Sequence, residues 1–281
     1  ASKTIRYRTA VILCASFVIV GALLEGQAGL KTLSGLTTQT LNTAFISSLA
    51  AALTVTLMTI LKLPVSTSQA AVGAIIGIGI LHGDLNLSGL TKVALVWVGT
   101  PTGALVLSLI LYPVLAKLLD IIAMNIFTRD YVIKASLLIA GSYGAYALGA
   151  NNVANVTGVY AKVGLLTLFG ATLVGGVSIA LGVVTFSKRV MMTVGKSLVK
   201  LDPFSALIAI LAHSIVLHVF ALVGVPTSSS QAIIGAVLGI GILKGIQTIN
   251  LKTLLLILFG WIGTPLIAVL ISIGLVSLHF L

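Results

Sequence analysis

Long apolar runs separated by short polar gaps dominate the chain, near 9–25, 43–61, 68–83, 90–119, 133–150, 164–186, 204–223, 230–245 and 252–281. Such runs are too long and too continuous for alternating strands, and they predict helices, most of them able to cross a hydrocarbon layer about 30 Å thick. Two runs, 68–83 and 230–245, are short for that thickness. Each follows a proline-led hydroxyl cluster, Pro64-Val65-Ser66-Thr67-Ser68-Gln69 and Pro226-Thr227-Ser228-Ser229-Ser230-Gln231. This predicts helices broken inside the membrane, or arms of re-entrant hairpins. Pro101 and Pro113 in the fourth run and Pro265 in the last predict bends, since an internal proline frees a carbonyl of the preceding turn.

The two clusters belong to a repeat. Residues 64–83 read PVSTSQAAVGAIIGIGILHG and residues 226–245 read PTSSSQAIIGAVLGIGILKG; beyond them Trp97-Val98-Gly99-Thr100-Pro101 is matched by Trp261-Ile262-Gly263-Thr264-Pro265. If every gap is a change of side and the residue 1 end is cytoplasmic, only Lys31, Lys92 and Lys162 of the 16 basic residues fall outside. The excess of lysine and arginine on cytoplasmic loops favours this orientation, with the C-terminus external and the 26–42 and 188–202 loops on opposite sides. The two copies then run in opposite directions across the membrane. Inverted repeats of this kind are a signature of secondary transporters, whose sites lie where broken helices from the two halves meet. The expected halves are 1–124 and 125–281. Moving Gly149–Gly158 back by the Ser66-to-Ser228 spacing places its counterpart before Ala1, so the first half is expected to lack its opening helix.

Composition narrows the class. The chain is 58% apolar and 7% charged, against about 25% charged in soluble domains, so the expectation is an all-α, multi-pass protein of the cell membrane. The net charge of +11 sits in or beside the gaps, where it reads as topology signal instead of a nucleic-acid surface. Cys14 has no second cysteine to pair with. Residues 1–8 are polar and basic, but Thr9 to Leu24 lacks a clear cleavage site and reads as a span.

Serine and threonine at a helix start offer an oxyanion hydroxyl donors, free first-turn N–H groups and the positive end of the helix dipole, without formal charge. Two such starts pointing at each other from opposite sides would close a polar cage. Alone, each cluster also reads as capping or interhelical contact. The stretch Gly149-Ala150-Asn151-Asn152-Val153-Ala154-Asn155-Val156-Thr157-Gly158 has two readings: a surface loop, or an unwound intramembrane segment whose amide oxygens and carbonyls hold a cation. Gln69 and Gln231, which follow the serines, are candidate further cation ligands. His213 and His218 are poorly spaced for a helical metal site, and no carboxylate or cysteine joins them in the sequence. Gly73, Gly77, Gly235 and Gly239 form small-xxx-small pairs suited to close helix packing. A serine hydrolase lacks a His or Asp in either cluster, and no nucleotide-binding glycine loop is present.

Together, the paired Pro-(Val/Thr)-Ser-(Thr/Ser)-Ser-Gln clusters and Gly-Ala-Asn-Asn-Val-Ala-Asn resemble the inorganic phosphate transporter (PiT) family over nearly the whole chain. The resemblance implies a non-enzymatic carrier importing phosphate with sodium or protons by alternating access. It implies that Ser66, Thr67, Ser68, Thr227, Ser228, Ser229 and Ser230 hold phosphate, and that Asn151, Asn152 and Asn155 lie in the cation and phosphate site, with Asn152 serving both. Three departures stand out: Asn152 replaces the usual aspartate, the partner signature is absent before Ala1, and the central loop around 120–131 is short. Phosphate, sodium ions and the lipid bilayer are the expected partners, with no nucleic acid, no cofactor and a homodimer left open. Sulfate or another oxyanion, proton coupling and an anion channel remain alternatives. Sodium is favoured because the five carboxylates, Glu25, Asp84, Asp120, Asp130 and Asp202, fall at segment ends or in gaps, whereas proton carriers generally need a titratable group in the membrane path.

Overall fold

The computed structural model describes residues 6–61, 65–121, 125–194, 201–245 and 250–279. Pro64, and residues 195–200 of the expected cytoplasmic loop, lie outside them. The described residues form ten helices: α1 (Tyr7–Glu25), α2 (Gln27–Ser34), α3 (Leu41–Ile60), α4 (Thr67–His82), α5 (Leu87–Ile121), α6 (Ile126–Lys162), α7 (Leu168–Val194), α8 (Pro203–Val223), α9 (Ser229–Lys244) and α10 (Leu251–His279). Seven of them are long and apolar enough to cross a membrane, and α4 and α9 are shorter.

Three boundaries differ from the sequence reading. The expected 26–42 loop contains α2, whose Leu30 and Leu33 are buried. The Asn151–Asn155 stretch is neither a loop nor unwound; it lies inside the 37-residue α6. The 164–186 run extends as helix to Val194, taking in Lys188 and Arg189. For α2 and the asparagine stretch, contacts with neighbouring helices supply burial that a sequence window cannot show.

The short helices are arms of hairpins. Thr37 donates its hydroxyl to Asp84, and the Thr38 N–H donates to Asp84 Oδ2 at 2.7 Å, so the start of α3 and the end of α4 share one face. The hydroxyl of Thr37 is the main cause that holds the Asp84 carboxyl below its ordinary range. Asp202 caps α8 and pairs with Lys244 at the end of α9, so that hairpin is closed at its own base. Burial alone would raise the Asp202 carboxyl, but the Lys244 ammonium and the Ser205 donors outweigh it and bring it down to about 2.

The two bases lie at opposite ends of the bundle. Lys162, ending α6, donates to the carbonyls of Ser34 and Thr37, whereas Leu137 and Ala140, nearer the α6 start, pack with Leu207 of α8. The intervening 137-to-162 stretch of α6 spans about 37 Å at 1.5 Å per residue. α4 and α9 therefore enter from opposite faces, as the charge count requires of their directions.

Packing exchanges elements between the two hairpin units. α4 lies on α10, where a Cβ on Gly73 would sit 2.5 Å from the Pro265 carbonyl oxygen and Ser272 donates to the Ala74 carbonyl. α9 lies on α5, where Gly235 meets the Pro101 carbonyl and Gly239 the Ser108 hydroxyl. Each small-xxx-small pair thus seats a proline-bearing helix of the other unit. Buried Ala232, Ala236 and Ile240 of α9 join Ala104, Ile208 and Ala212 in one apolar cluster.

Candidate functional site

Ser66 and Ser228 are the N-caps of α4 and α9. Ser66 Oγ accepts from the Gln69 N–H at 3.3 Å, and Ser228 Oγ accepts from the Gln231 N–H at 3.2 Å. A serine in extended conformation satisfies one orphan donor of a helix start. It leaves the first-turn N–H groups of Thr67, Ser68, Ser229 and Ser230 without intrahelical acceptors. The capping reading of the sequence is therefore correct, and the donors it leaves over are those an anion can use.

The two starts meet. Ser68 Oγ donates to the Thr227 carbonyl at 2.6 Å and accepts from Asn155 Nδ2 at 2.8 Å. Asn151 brackets the Thr227 peptide: its Nδ2 donates to the Thr227 carbonyl at 2.9 Å, and its Oδ1 accepts the Thr227 N–H at 3.1 Å. Asn152 Oδ1 accepts from Asn155 Nδ2 at 2.8 Å and from Asn151 Nδ2 at 3.3 Å. Thr227 Oγ1 lies 2.6 Å from Thr100 Oγ1, and Ser228 Oγ lies 3.0 Å from Ser230 Oγ. A continuous helix, not an unwound one, puts the three asparagines on one face, since 151, 152 and 155 fall within about one turn.

Ser66, Ser68, Gln69, Asn151, Asn152, Thr227, Ser228 and Gln231 are all buried. Ser229 and Ser230 are half-buried, and Thr67 is exposed. Thr67 and Ser229 make no side-chain hydrogen bond among the described residues, so each enters the site by its backbone position. No ionised side chain takes part in this network. Its donors are hydroxyls and amides already bonded to one another, so admission of an oxyanion exchanges those bonds instead of filling a vacant charge site.

Among the described residues, three buried amide oxygens have no hydrogen-bond partner: Gln69 Oε1, Gln231 Oε1 and Asn155 Oδ1. Buried polar atoms are paired in the great majority of cases, so each unmade bond needs a cause. Neutral amide oxygens are sodium ligands in chemistry, and these belong to residues selected for that role from the sequence.

Two features went unseen in the sequence. Thr100, in the repeated Trp-Val-Gly-Thr-Pro stretch, touches Thr227; its signal was the second match of the repeat. Glu25 ends α1 but lies within the bundle, its Oε2 2.6 Å from His218 Nε2. The expectation that no carboxylate joins the histidines is corrected; Glu25 does end its segment, as expected, but its side chain meets α8. Linear spacing could not show it, because the pair spans α1 and α8. A cavity of about 330 Å³ lies elsewhere, on the Asp84 face, lined by residues including Lys31, Ser34 and Lys162.

Two hairpins whose capped helix starts meet end to end, inside a bundle with seven membrane-length helices among the described residues, define a membrane transporter built on broken helices. The chain belongs to the phosphate transporter family, whose sequence profile matches residues 1–129 and again 128–272. A protein of Methanocaldococcus jannaschii named as a phosphate permease is 32% identical over 97% of this chain and 86% of its own length. The sulfate permease of Bacillus subtilis is 29% identical over 99% of this chain and 79% of its own. Among solved structures, a sodium-dependent phosphate transporter superposes with a TM-score of 0.87 at 19% identity, covering 99% of this chain and 91% of that one. At that identity the likeness establishes the shared all-helical fold.

Proposed function

We propose that the chain carries inorganic phosphate across the membrane together with sodium ions, by alternating access around the meeting point of α4 and α9. The observation that supports this most directly is the Ser68–Thr227–Asn151–Asn152–Asn155 network, which joins both serine-capped helix starts to the asparagines of α6. Ser66, Thr67, Ser68 and Thr227, Ser228, Ser229, Ser230 supply oxyanion donors from two sides, with Asn152 between them. Asn151, Asn152, Asn155, Gln69 and Gln231 supply the cation shell. The two hairpin units belong to inverted repeats, 1–124 and 125–281, whose exchange of α5 and α10 lets the two faces open in turn.

Sodium coupling is supported by the unpaired amide oxygens of Gln69, Gln231 and Asn155, and no longer by an absence of titratable groups in the bundle. Sodium ions also offset the phosphate charge in a network without lysine or arginine. Proteoliposomes with an inward sodium gradient and clamped pH are expected to accumulate labelled phosphate. An inward proton gradient in choline medium is expected not to. Equal accumulation in choline overturns sodium coupling.

Sulfate is the second reading, favoured by the likeness to the Bacillus subtilis sulfate permease across the whole of this chain. Competition of phosphate uptake by unlabelled phosphate, arsenate and sulfate separates the two. Phosphate and arsenate are expected to compete and sulfate to be weak; the reverse order assigns the carrier to sulfate.

The residue 1 end is cytoplasmic and the C-terminus external in this proposal, which places Lys92 outside and Lys252 inside. Lys92→Cys and Lys252→Cys, each in a Cys14→Ser background, are expected to differ on intact cells treated with an impermeant thiol reagent. Labelling at Lys92→Cys alone supports the orientation. Labelling at Lys252→Cys alone reverses it, and labelling of both or neither removes the alternation.

A further inference from the structure

One ionisable cluster lies within the bundle and apart from the serine runs. His218 on α8 has its Nε2 2.6 Å from Glu25 Oε2 on α1 and its Nδ1 2.8 Å from the Tyr143 hydroxyl on α6. Tyr146, also on α6, packs edge-on to the imidazole with ring centroids 5.5 Å apart. The side chains of His218 and Glu25 are 20% and 29% exposed, low for a pair that joins two membrane-length helices. Glu25 does not mark the end of the bundle: beyond Gly26 the chain continues as α2, whose Gly29 and Leu30 lie against Ala154 of α6, before the face that carries Lys31, Thr37 and Lys162.

We propose that Glu25, His218 and Tyr143 form a proton-binding site inside the membrane-spanning bundle, and that its occupancy sets the position of the α8–α9 tip and so the rate of oxyanion transport. The first half stands on the cluster alone; the second rests on the transport function proposed above. With the proton bound, the imidazolium donates from Nε2 to the Glu25 carboxylate and from Nδ1 to the Tyr143 oxygen, and the cluster is neutral. Without it, Nε2–H still donates to Glu25, Nδ1 accepts from the Tyr143 O–H, and the cluster carries one negative charge. Loss of one proton therefore reverses the Tyr143 hydrogen bond and leaves a net charge in a poorly solvated place, which is costly.

That reversal occurs at the α6–α8 contact. α6 carries Tyr143 and, about two turns on, Asn151; α8 carries His218 and then leads through Gly224 to Thr227. The Asn151–Thr227 bonds and the Tyr143–His218 bond thus span one interface, so a shift of α8 against α6 at the cluster is felt at the site. Gly224 has φ 77 and lies against Ala28 of α2, a left-handed turn that ties the tip to the element following Glu25.

Among the described residues, the elements around the cluster carry few other ionisable groups, Tyr7, Arg8 and Cys14 being those on α1. Among the described residues, α7 to Ser187 has no ionisable side chain, α2 has only Lys31 and α9 only Lys244, which pairs with Asp202. α5 carries Lys92, Tyr112, Lys117 and Asp120, of which Tyr112 stacks on Phe204 and Asp120 pairs with Arg129. His213 lies on α8 itself, and Tyr143 and Tyr146 are the groups that α6 turns toward Glu25 and His218. A permanent ion pair that merely ties α1 to α8 is the competing account.

The test uses the full chain in two readouts. In detergent, without sodium or phosphate, the infrared carboxylate band that Glu25→Gln removes and the histidine ring signals that His218→Gln removes are followed against pH. Measured from about pH 5 to about pH 8, the range in which histidine commonly changes charge, the Glu25 carboxylate, ionised throughout, is expected to shift its band in step with a change in the His218 ring signals, and Tyr143→Phe to move that change along the pH axis. No titration in that range overturns the site, whatever the transport result. In proteoliposomes, sodium-driven phosphate uptake is measured across the same range at equal pH on both sides. The ratio of wild-type to Glu25→Gln or His218→Gln uptake is expected to change about fivefold or more, the lower end of coupling between linked sites; phosphate ionisation cancels in that ratio. A constant ratio, with the variants lower at every pH, assigns a structural tie and overturns the coupling. Wild-type protein without uptake at any pH refutes the transport reading and leaves the proton site to the spectroscopic result.

Discussion

Ser68→Ala is expected to weaken phosphate binding by about ten- to a hundredfold, the worth of a lost hydrogen bond to a charged group at roughly 1.5–3 kcal/mol. Ser230→Ala is expected to fall in the same range. The two differ in what else they disturb. Ser68 also donates to the Thr227 carbonyl and accepts from Asn155, so its loss loosens the contact between the hairpin tips, leaving the Thr227 carbonyl to Asn151 and the Asn155 amide to Asn152. Ser230 bonds only to Ser228 among the described residues, so its variant isolates the contribution of the hydroxyl to the ligand. Equilibrium binding of labelled phosphate to purified protein, with thermal stability measured alongside, checks both. Wild-type affinity in Ser230→Ala reduces the second serine run to capping.

Gly235→Val is expected to have the largest effect on the fold. A Cβ there would meet the carbonyl oxygen and carbon of Pro101, and these are backbone atoms of a long helix that cannot step aside. The α5–α9 axes must separate, at a cost above the roughly 1–3 kcal/mol of ordinary overpacking. Gly73→Val, against Pro265 on α10, is expected to match it. Gly263→Ala serves as the control, since nothing lies within 4 Å of its position. Size-exclusion profiles and melting temperatures in detergent should show aggregation or a large loss of stability for both valine variants and a near-normal Gly263→Ala. A stable Gly235→Val would mean that the α5–α9 contact does not set the position of the α9 helix start.

Much of this was legible in the chain. Transfer energetics act residue by residue, so long apolar runs marked the spans whatever their neighbours. The serine runs also identified themselves, because a cap is a local event within four residues. The repeat made visible that two such caps share one architecture, and the lysine count made visible that they run in opposite directions. Asn151 and Asn155 were recognisable as one face from helical spacing alone.

Other features depended on distant partners. The asparagine stretch looked like an interruption because its amides have no local use; α2, α4 and the Thr227 tip supply partners that keep it helical and buried. α2 was lost in an expected loop because a short helix of low mean hydropathy is stabilised by its packing on α6 and not by its own sequence. The orphaned oxygens of Gln69, Gln231 and Asn155 are defined only once every neighbour is in place. Glu25 is the clearest case. In the sequence it is the last polar residue of a span, like any residue at a membrane edge. Its meaning comes from His218 and Tyr143, brought to it from α8 and α6 by the fold. Local chemistry determined which residues can bind an oxyanion and a cation. Only the tertiary structure decided that they meet, because hydrogen bonds between helices depend on ångström distances that no sequence window contains.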